Sequence, residues 1–254
     1  MREPELREFL AEICHRMYRQ GYIAAGDGNV SAKMDDGERV LVTPTGFHKG
    51  FIKPSDLTIV DVHGKVLRGT NKPSSEFLMH ELAYVERSDV GAVVHGHPPI
   101  TVGLALAGVS LAQCILSETC LVLGPILTAP YSTPTTEEVP RILRPYMRQA
   151  NAIVMDRHGA ITLGRDLNEA YNRMEAMEHA AKITHAARVI GPLTPLPPHE
   201  VDKLQSLARA LGIPRAPDPC TLCNACSNGT GGPISLSLPS DDKVVDEVMR
   251  RLRQ

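Results

Sequence analysis

Two short apolar segments that run directly into histidine constrain this chain more than any other feature. Gly91-Ala-Val-Val94 leads into His95-Gly96-His97, and Ala152-Ile-Val-Met155 leads into Asp156-Arg157-His158-Gly159. Apolar runs of this length, bounded by glycine or turn residues, read as strands rather than helices. Side chains two apart on a strand emerge on the same face, so His95 and His97 can reach one ion, and Gly96 keeps the space between them open. The second strand brings a third imidazole, His158, to its own end. Three neutral imidazoles with one coordination position free describe a catalytic zinc site, whereas structural zinc sites are usually closed by four ligands. Taken singly, a histidine at a strand end is more often a surface or hydrogen-bonded residue. His48, His63, His80, His179, His185 and His199 lack comparable partners and are read that way.

The rest of the chain supplies the frame. Leu6, Phe9, Leu10, Ile13 and Met17 recur at helical spacing and predict an amphipathic helix over 5–19, ended by Gly21. A turn-rich loop at 26–29 precedes β-like runs at 30–34, 39–43 and 57–62. Ser74 and Ser75 are favoured caps for a helix carrying Phe77, Leu78, Leu82 and Val85. Pro98 and Pro99 suit the start of a helix over 100–107. Further elements follow at 125–129, 136–148 and 152–155, and a long helix is expected over 167–189. Prolines 192, 195, 197 and 198 then interrupt the pattern, so we expect a main domain over 1–191 and an extension over 192–254 with short helices at 199–211 and from 241 on. A central sheet with helices on both sides is an α/β layered domain.

Composition narrows the function. Hydrophobic residues make up 43% and charged residues 22% of the 254, as in ordinary globular proteins. A net charge of −2 offers no basic field for phosphate backbones, so nucleic acid is not an expected partner. No run approaches a membrane span, and the charged start lacks the apolar stretch of a secretory signal, so a cytoplasmic protein is expected. Cys14, Cys114 and Cys120 sit in apolar or helical surroundings that suit reduced thiols.

Other polar groups admit two readings. Glu76 lies where a helix begins, so it can be a capping-box partner favoured by the helix dipole. If that helix start points at the metal, Glu76 can instead move a proton beside a polarised carbonyl. Ser74 and Ser75 with the helix amides would then form an anion pocket, and Gly28, Asn29, Thr45 and Gly46 could add donors from two glycine-containing loops. His48 and Lys49 follow the second loop and bear on the anion end of that pocket.

Taken in order, Gly26-Asp-Gly-Asn-Val-Ser31, Val42-Thr-Pro-Thr-Gly46, Lys72-Pro-Ser-Ser-Glu76, His95-Gly-His-Pro-Pro99 and Arg157-His-Gly159 resemble the class II aldolase/adducin family, especially its fuculose-phosphate-type aldolases. The resemblance spans roughly residues 6–189. It implies a three-layer α/β/α fold around a largely antiparallel central sheet, and a homotetramer with active sites between subunits. It implies Zn2+ or another divalent transition metal on His95, His97 and His158, with Glu76 as catalytic acid/base that also touches the resting metal. Gly28, Asn29, Thr45, Gly46, Ser74 and Ser75 resemble the set that grips a substrate phosphate.

Tyr131 is similar to the tyrosine that reaches the adjacent subunit's site as a proton donor, although Thr133-Pro134-Thr135 departs from the family pattern, and a packed interface aromatic is its other reading. The expected reaction is reversible aldol cleavage of a ketose phosphate or related hydroxy-keto compound through a metal-bound enediolate. The alternatives are decarboxylation of a 3-keto sugar acid phosphate through the same intermediate, and a catalytically silent adducin-like module. Related epimerases carry aspartate where Glu76 stands, and adducin-like heads lack the histidine set.

The tail is outside this resemblance. Cys220-Thr-Leu-Cys223-Asn-Ala-Cys226 has two successive C-x-x-C spacings that suit a second metal or an iron–sulfur cluster but lacks a local fourth ligand. Reduced thiols in a loop, or an oxidisable pair, are the other readings.

Overall fold

A computed structural model describes residues 1–210 together with Gly212 and Ile213. Cys220, Cys223, Cys226 and the expected terminal helix from 241 lie outside the described residues.

The opening helix α1 (Glu3–Arg19) places Pro4 and the acidic Glu3 and Glu5 in its first turn and Arg16 and Arg19 in its last, each complementing the helix dipole. Its buried stripe is Leu6, Leu10, Ile13, Cys14 and Met17, and each such apolar side chain removed from water stabilises by roughly 1.5–3 kcal/mol. Gly21 ends it as expected, with φ +72° and a Tyr22 N–H to Met17 carbonyl bond of 2.8 Å.

Strands β1 (Asn29–Lys33), β2 (Arg39–Val42), β3 (Thr58–Asp61) and β4 (Val66–Arg68) form a meander, followed by helix α2 (Phe77–Glu86), strand β5 (Ala92–Gly96) and helix α3 (Pro99–Leu106). A π-helical turn (Thr119–Leu123) leads to β6 (Ile126–Ala129), α4 (Glu138–Met147), β7 (Ala152–Met155), β8 (Gly159–Gly164), α5 (Leu167–Ile190) and α6 (Pro198–Ala210). The eight strands make one sheet in the order β4-β3-β2-β1-β5-β8-β7-β6. Only the β6–β7 pair is parallel among these, so the largely antiparallel sheet is as expected.

Two cores flank the sheet. On one face Val30, Ala32, Ala92 and Val94 pack with Leu10 and Met17 of α1, Leu104 of α3, and Met174 and Met177 of α5. On the other, Val40, Val42, Val93 and Ile161 pack with Phe77, Met79 and Leu82 of α2 and Val139, Ile142 and Leu143 of α4. The protein is thus a three-layer α/β/α structure. Helix α6 packs Val201 and Leu204 beside Cys114 and Cys120 in a smaller cluster. No helix among the described residues is long and apolar enough to cross a membrane.

Candidate active site

The sheet register sets the site. β1 pairs with β5 so that Asn29 lies opposite His95, and β5 pairs with β8 so that His95 lies opposite Ile161. β7 and β8 form a hairpin whose Met155 and Gly159 are partnered, which leaves 156–158 as its turn, with Arg157 in the left-handed region at φ +56°. His158 ends that turn beside the end of β5. Two histidine-bearing strand ends that are distant in sequence therefore meet.

His95, His97 and His158 form a group able to hold a metal ion, with ligand atoms all within 4.8 Å of one another. Their ring centroids are 5.0–5.3 Å apart. His95 is fully buried and its Nδ1 faces the Ala160 carbonyl at 2.9 Å. A carbonyl accepts only, so Nδ1 carries the proton and the Nε2 lone pair is free for a ligand bond. The Nε2 atoms of His95 and His97 are 3.3 Å apart. Zinc–nitrogen bonds of about 2.05 Å at the tetrahedral angle set two nitrogens about 3.3 Å apart, so this donor pair fits zinc. His158 Nδ1 is buried with no hydrogen-bond partner among the described residues.

Protonation favours the same use. Burial pushes the His95 pKa down to about 3, with Glu76 opposing and His158 adding to the shift. Burial and the neighbouring His158 also lower that of His97, so both imidazoles are neutral near pH 7.

Close packing explains the glycines. A Cβ on Gly159 would lie 2.5 Å from His97 Cδ2, 2.6 Å from the Gly96 carbonyl and 3.0 Å from His95 Cε1. Gly28, at φ +68°, allows the 26–29 loop to pass the His95 carbonyl, which a Cβ there would approach to 2.8 Å.

The Glu76 side chain does not act as a capping-box partner, which corrects the first of its two readings. It occupies the N-cap position of α2 and makes no side-chain cap. Instead Ser74 Oγ accepts from the Glu76 amide at 3.3 Å, and the Glu76 carboxylate turns to the histidines. Its Oε1 lies 3.0 Å from His158 Nε2, and its Oε2 lies 3.5 Å from His95 Nε2. Asn29 Nδ2 donates to Oε2 at 2.8 Å. Burial alone would raise the Glu76 pKa, but His95, the His158 hydrogen bond and the Asn29 amide outweigh it and hold the carboxyl well below the usual carboxylate range.

The two loops and the serine segment are knitted together. Pro44 and Pro73 form a β-bridge, the Thr45 amide donates to the Lys72 carbonyl and the Ser74 amide to the Thr43 carbonyl, both at 3.1 Å. Thr45, Gly46, Ser74 and Ser75 thus sit side by side, next to Gly28 and Asn29. Lys49 is buried and its Nζ donates to the carbonyls of Gly26 and Phe47, at 2.9 Å each, so it fastens one loop to the other. His48 packs against the rings of Tyr18 and Phe51.

Tyr131 is half-exposed. It lines a cavity of about 320 Å³ together with Leu106, Val109, Asp156 and Arg157.

Two residues were not identified from sequence. Asp27 places Oδ2 3.7 Å from His97 Nδ1. His80, read as lacking a partner, is fully buried and bonded to Asn29. The signal was present in the spacing: Glu76, His80 and Tyr84 recur every four residues, and Asn29 and Ser31 alternate on β1.

A sheet flanked by helices on both faces, with imidazoles from two strand ends and a helix-start carboxylate converging, gives an α/β protein with a side-chain group that could hold a metal ion. The family model for the class II aldolase and adducin N-terminal domain matches residues 8–185. The L-fuculose phosphate aldolase of Methanococcus vannielii is 34% identical over 71% of this chain and 96% of its own length. The 3-oxo-tetronate 4-phosphate decarboxylase of Escherichia coli K12 is 32% identical over 71% of this chain and 86% of its own. The crystal structure of L-fuculose-1-phosphate aldolase from Thermus thermophilus superposes with a TM-score of 0.64, at 27% identity, over 74% of this chain and 99% of that one. The chain belongs to the class II aldolase and adducin family and is an enzyme of the lyase class.

Proposed function

We propose that the protein is a zinc-dependent aldolase that reversibly cleaves a ketose phosphate. The observation that carries this reading is the convergence of three imidazoles with a partly buried carboxylate on one small space. His95, His97 and His158 would hold the ion, and Glu76 would touch it in the resting state. Bound there, zinc would act as a Lewis acid toward the substrate carbonyl and its neighbouring hydroxyl.

The protein's own groups would do the rest. Gly28, Asn29, Thr45, Gly46, Ser74 and Ser75 would grip the phosphate, whose negative charge suits backbone and hydroxyl donors near the start of α2. Glu76, held beside that space, would protonate the substrate carbon in cleavage, or take its proton in synthesis. Tyr131, which is half-exposed, would act from a neighbouring subunit of a homotetramer on the aldehyde oxygen. Residues 1–191 would form the catalytic domain and 192–254 an extension to it.

A second reading, decarboxylation of a 3-keto sugar acid phosphate, is favoured by the Escherichia coli relative. Both reactions break a carbon–carbon bond beside a carbonyl and need the same charge stabilisation. The test is a panel of ketose 1-phosphates and 3-keto acid phosphates offered to the zinc-loaded protein. Aldehyde release from the former supports the aldolase, CO2 release from the latter supports the decarboxylase, and neither product overturns both.

A further inference from the structure

Strand β1 turns Asn29 and Ser31 to the face covered by α2, and α2 with its N-cap turns Glu76, His80 and Tyr84 back toward them. The five side chains form one unbroken line. Tyr84 Oη lies 2.6 Å from Ser31 Oγ, and Ser31 Oγ lies 2.7 Å from His80 Nδ1. His80 Nε2 then meets Asn29 Oδ1, and Asn29 Nδ2 donates to Glu76 Oε2 at 2.8 Å. Asn29, Ser31, His80 and Tyr84 are all buried, with 5% exposure or less, so water does not substitute for any link.

Only one placement of protons satisfies this line. The Glu76 carboxylate accepts only, so Asn29 must turn its amide nitrogen to it and its oxygen to His80. An amide oxygen cannot donate, so the proton of a neutral His80 sits on Nε2. Nδ1 is then an acceptor, the Ser31 hydroxyl donates into it, and Ser31 Oγ accepts from Tyr84. Burial keeps His80 neutral, with its pKa down to about 3, and raises that of Tyr84, which stays a donor. Every hydrogen bond in the line points toward Glu76.

We propose that His80 is a positioning residue: acting through the Asn29 amide, it holds the Glu76 carboxylate toward His95 and His158, while Ser31 and Tyr84 fix its tautomer. Without the His80 donor the Asn29 amide is free to turn over, which would set its oxygen against the carboxylate. This rests on the reading of Glu76 as the proton carrier, but the hydrogen-bond line itself does not.

The test has two parts. In the zinc-loaded wild-type protein labelled with 15N-histidine, long-range 1H–15N NMR should show the His80 proton on Nε2 and a bare Nδ1, the resonances being assigned by their loss in His80→Phe. A proton on Nδ1 overturns the proposal whatever the reaction. In cleavage assays His80→Phe should lower kcat by about tenfold or more with zinc content and KM little changed. Placed on Asn29→Ala, it should lower kcat no further. Losses that multiply in the double variant overturn the positioning role, because a residue acting only through packing would add its own penalty. A chain that shows the Nε2 proton but cleaves no ketose phosphate refutes the aldolase reading and leaves the line intact.

Discussion

Gly159→Ala is a severe test of the site, because it adds one methyl and no change of charge. The Gly159 φ lies outside the left-handed region, so the penalty comes from contact alone. The new Cβ would meet His97 Cδ2 at 2.5 Å, the Gly96 carbonyl at 2.6 Å and His95 Cε1 at 3.0 Å. Backbone on β5 cannot yield cheaply, since Gly96 is paired with Ala160 in the sheet. The rings must therefore separate. Overpacking of this kind costs about 1–3 kcal/mol. If the metal-free protein relaxes by moving the rings, that cost reappears when zinc draws them together, as about a 5- to 150-fold loss of affinity. If it does not relax, the melting temperature of the metal-free protein falls. Zinc titration against a chromophoric chelator and thermal unfolding in EDTA measure the two. Gly103→Ala, where the added Cβ meets nothing within 4 Å, is the control and should leave zinc affinity unchanged. A Gly159→Ala protein equal to wild type in both measurements would refute the convergence of the rings on one ion.

Three further outcomes are expected. Glu76→Gln should keep its zinc but lose turnover by about 10²- to 10⁴-fold, read by metal analysis beside the cleavage assay; undiminished activity removes Glu76 from proton transfer. His80 and His95 have pKa values near 3 against an unperturbed 6.5, so below pH 6.5 the unfolded chain binds protons that the folded chain refuses. Metal-free stability should therefore fall on acidification through that window by about 1.4 kcal/mol per pH unit for each histidine, and equal urea midpoints at pH 7 and pH 5 would contradict their neutral burial. Lys49→Met should strand the carbonyls of Gly26 and Phe47, lowering stability by about 1–3 kcal/mol and raising KM for a phosphorylated substrate; an unchanged melting temperature would mean that the lysine does not fasten the loops.

Elements with strong local signals were legible in the chain. The stripe of α1, its glycine stop and the apolar strands ending in histidine need only the pattern of a few neighbours. β4 and β8 were not identified. All three residues of β4 are exposed at the sheet edge, so no alternation marks it. β8 is a glycine-bounded segment buried along its whole length, so no alternation marks it, and its strand character comes from lying between β5 and β7. The expected serine cap was half right: Ser74 does receive an amide, but the helix begins after Glu76, whose carboxylate is thereby freed from capping.

By itself the sequence determined the inventory: two histidine-bearing strand ends, a carboxylate at a helix start and loops rich in small donors, because residue type and spacing are local properties. Tertiary structure decided which of them meet. The pairing of β1, β5 and β8 joins positions such as Asn29, His95 and Ile161, and no local pattern specifies a contact across that much chain. For the same reason His80 reads as an ordinary core histidine until α2 is laid across β1. Only then do its two ring nitrogens acquire partners that dictate where its proton must sit.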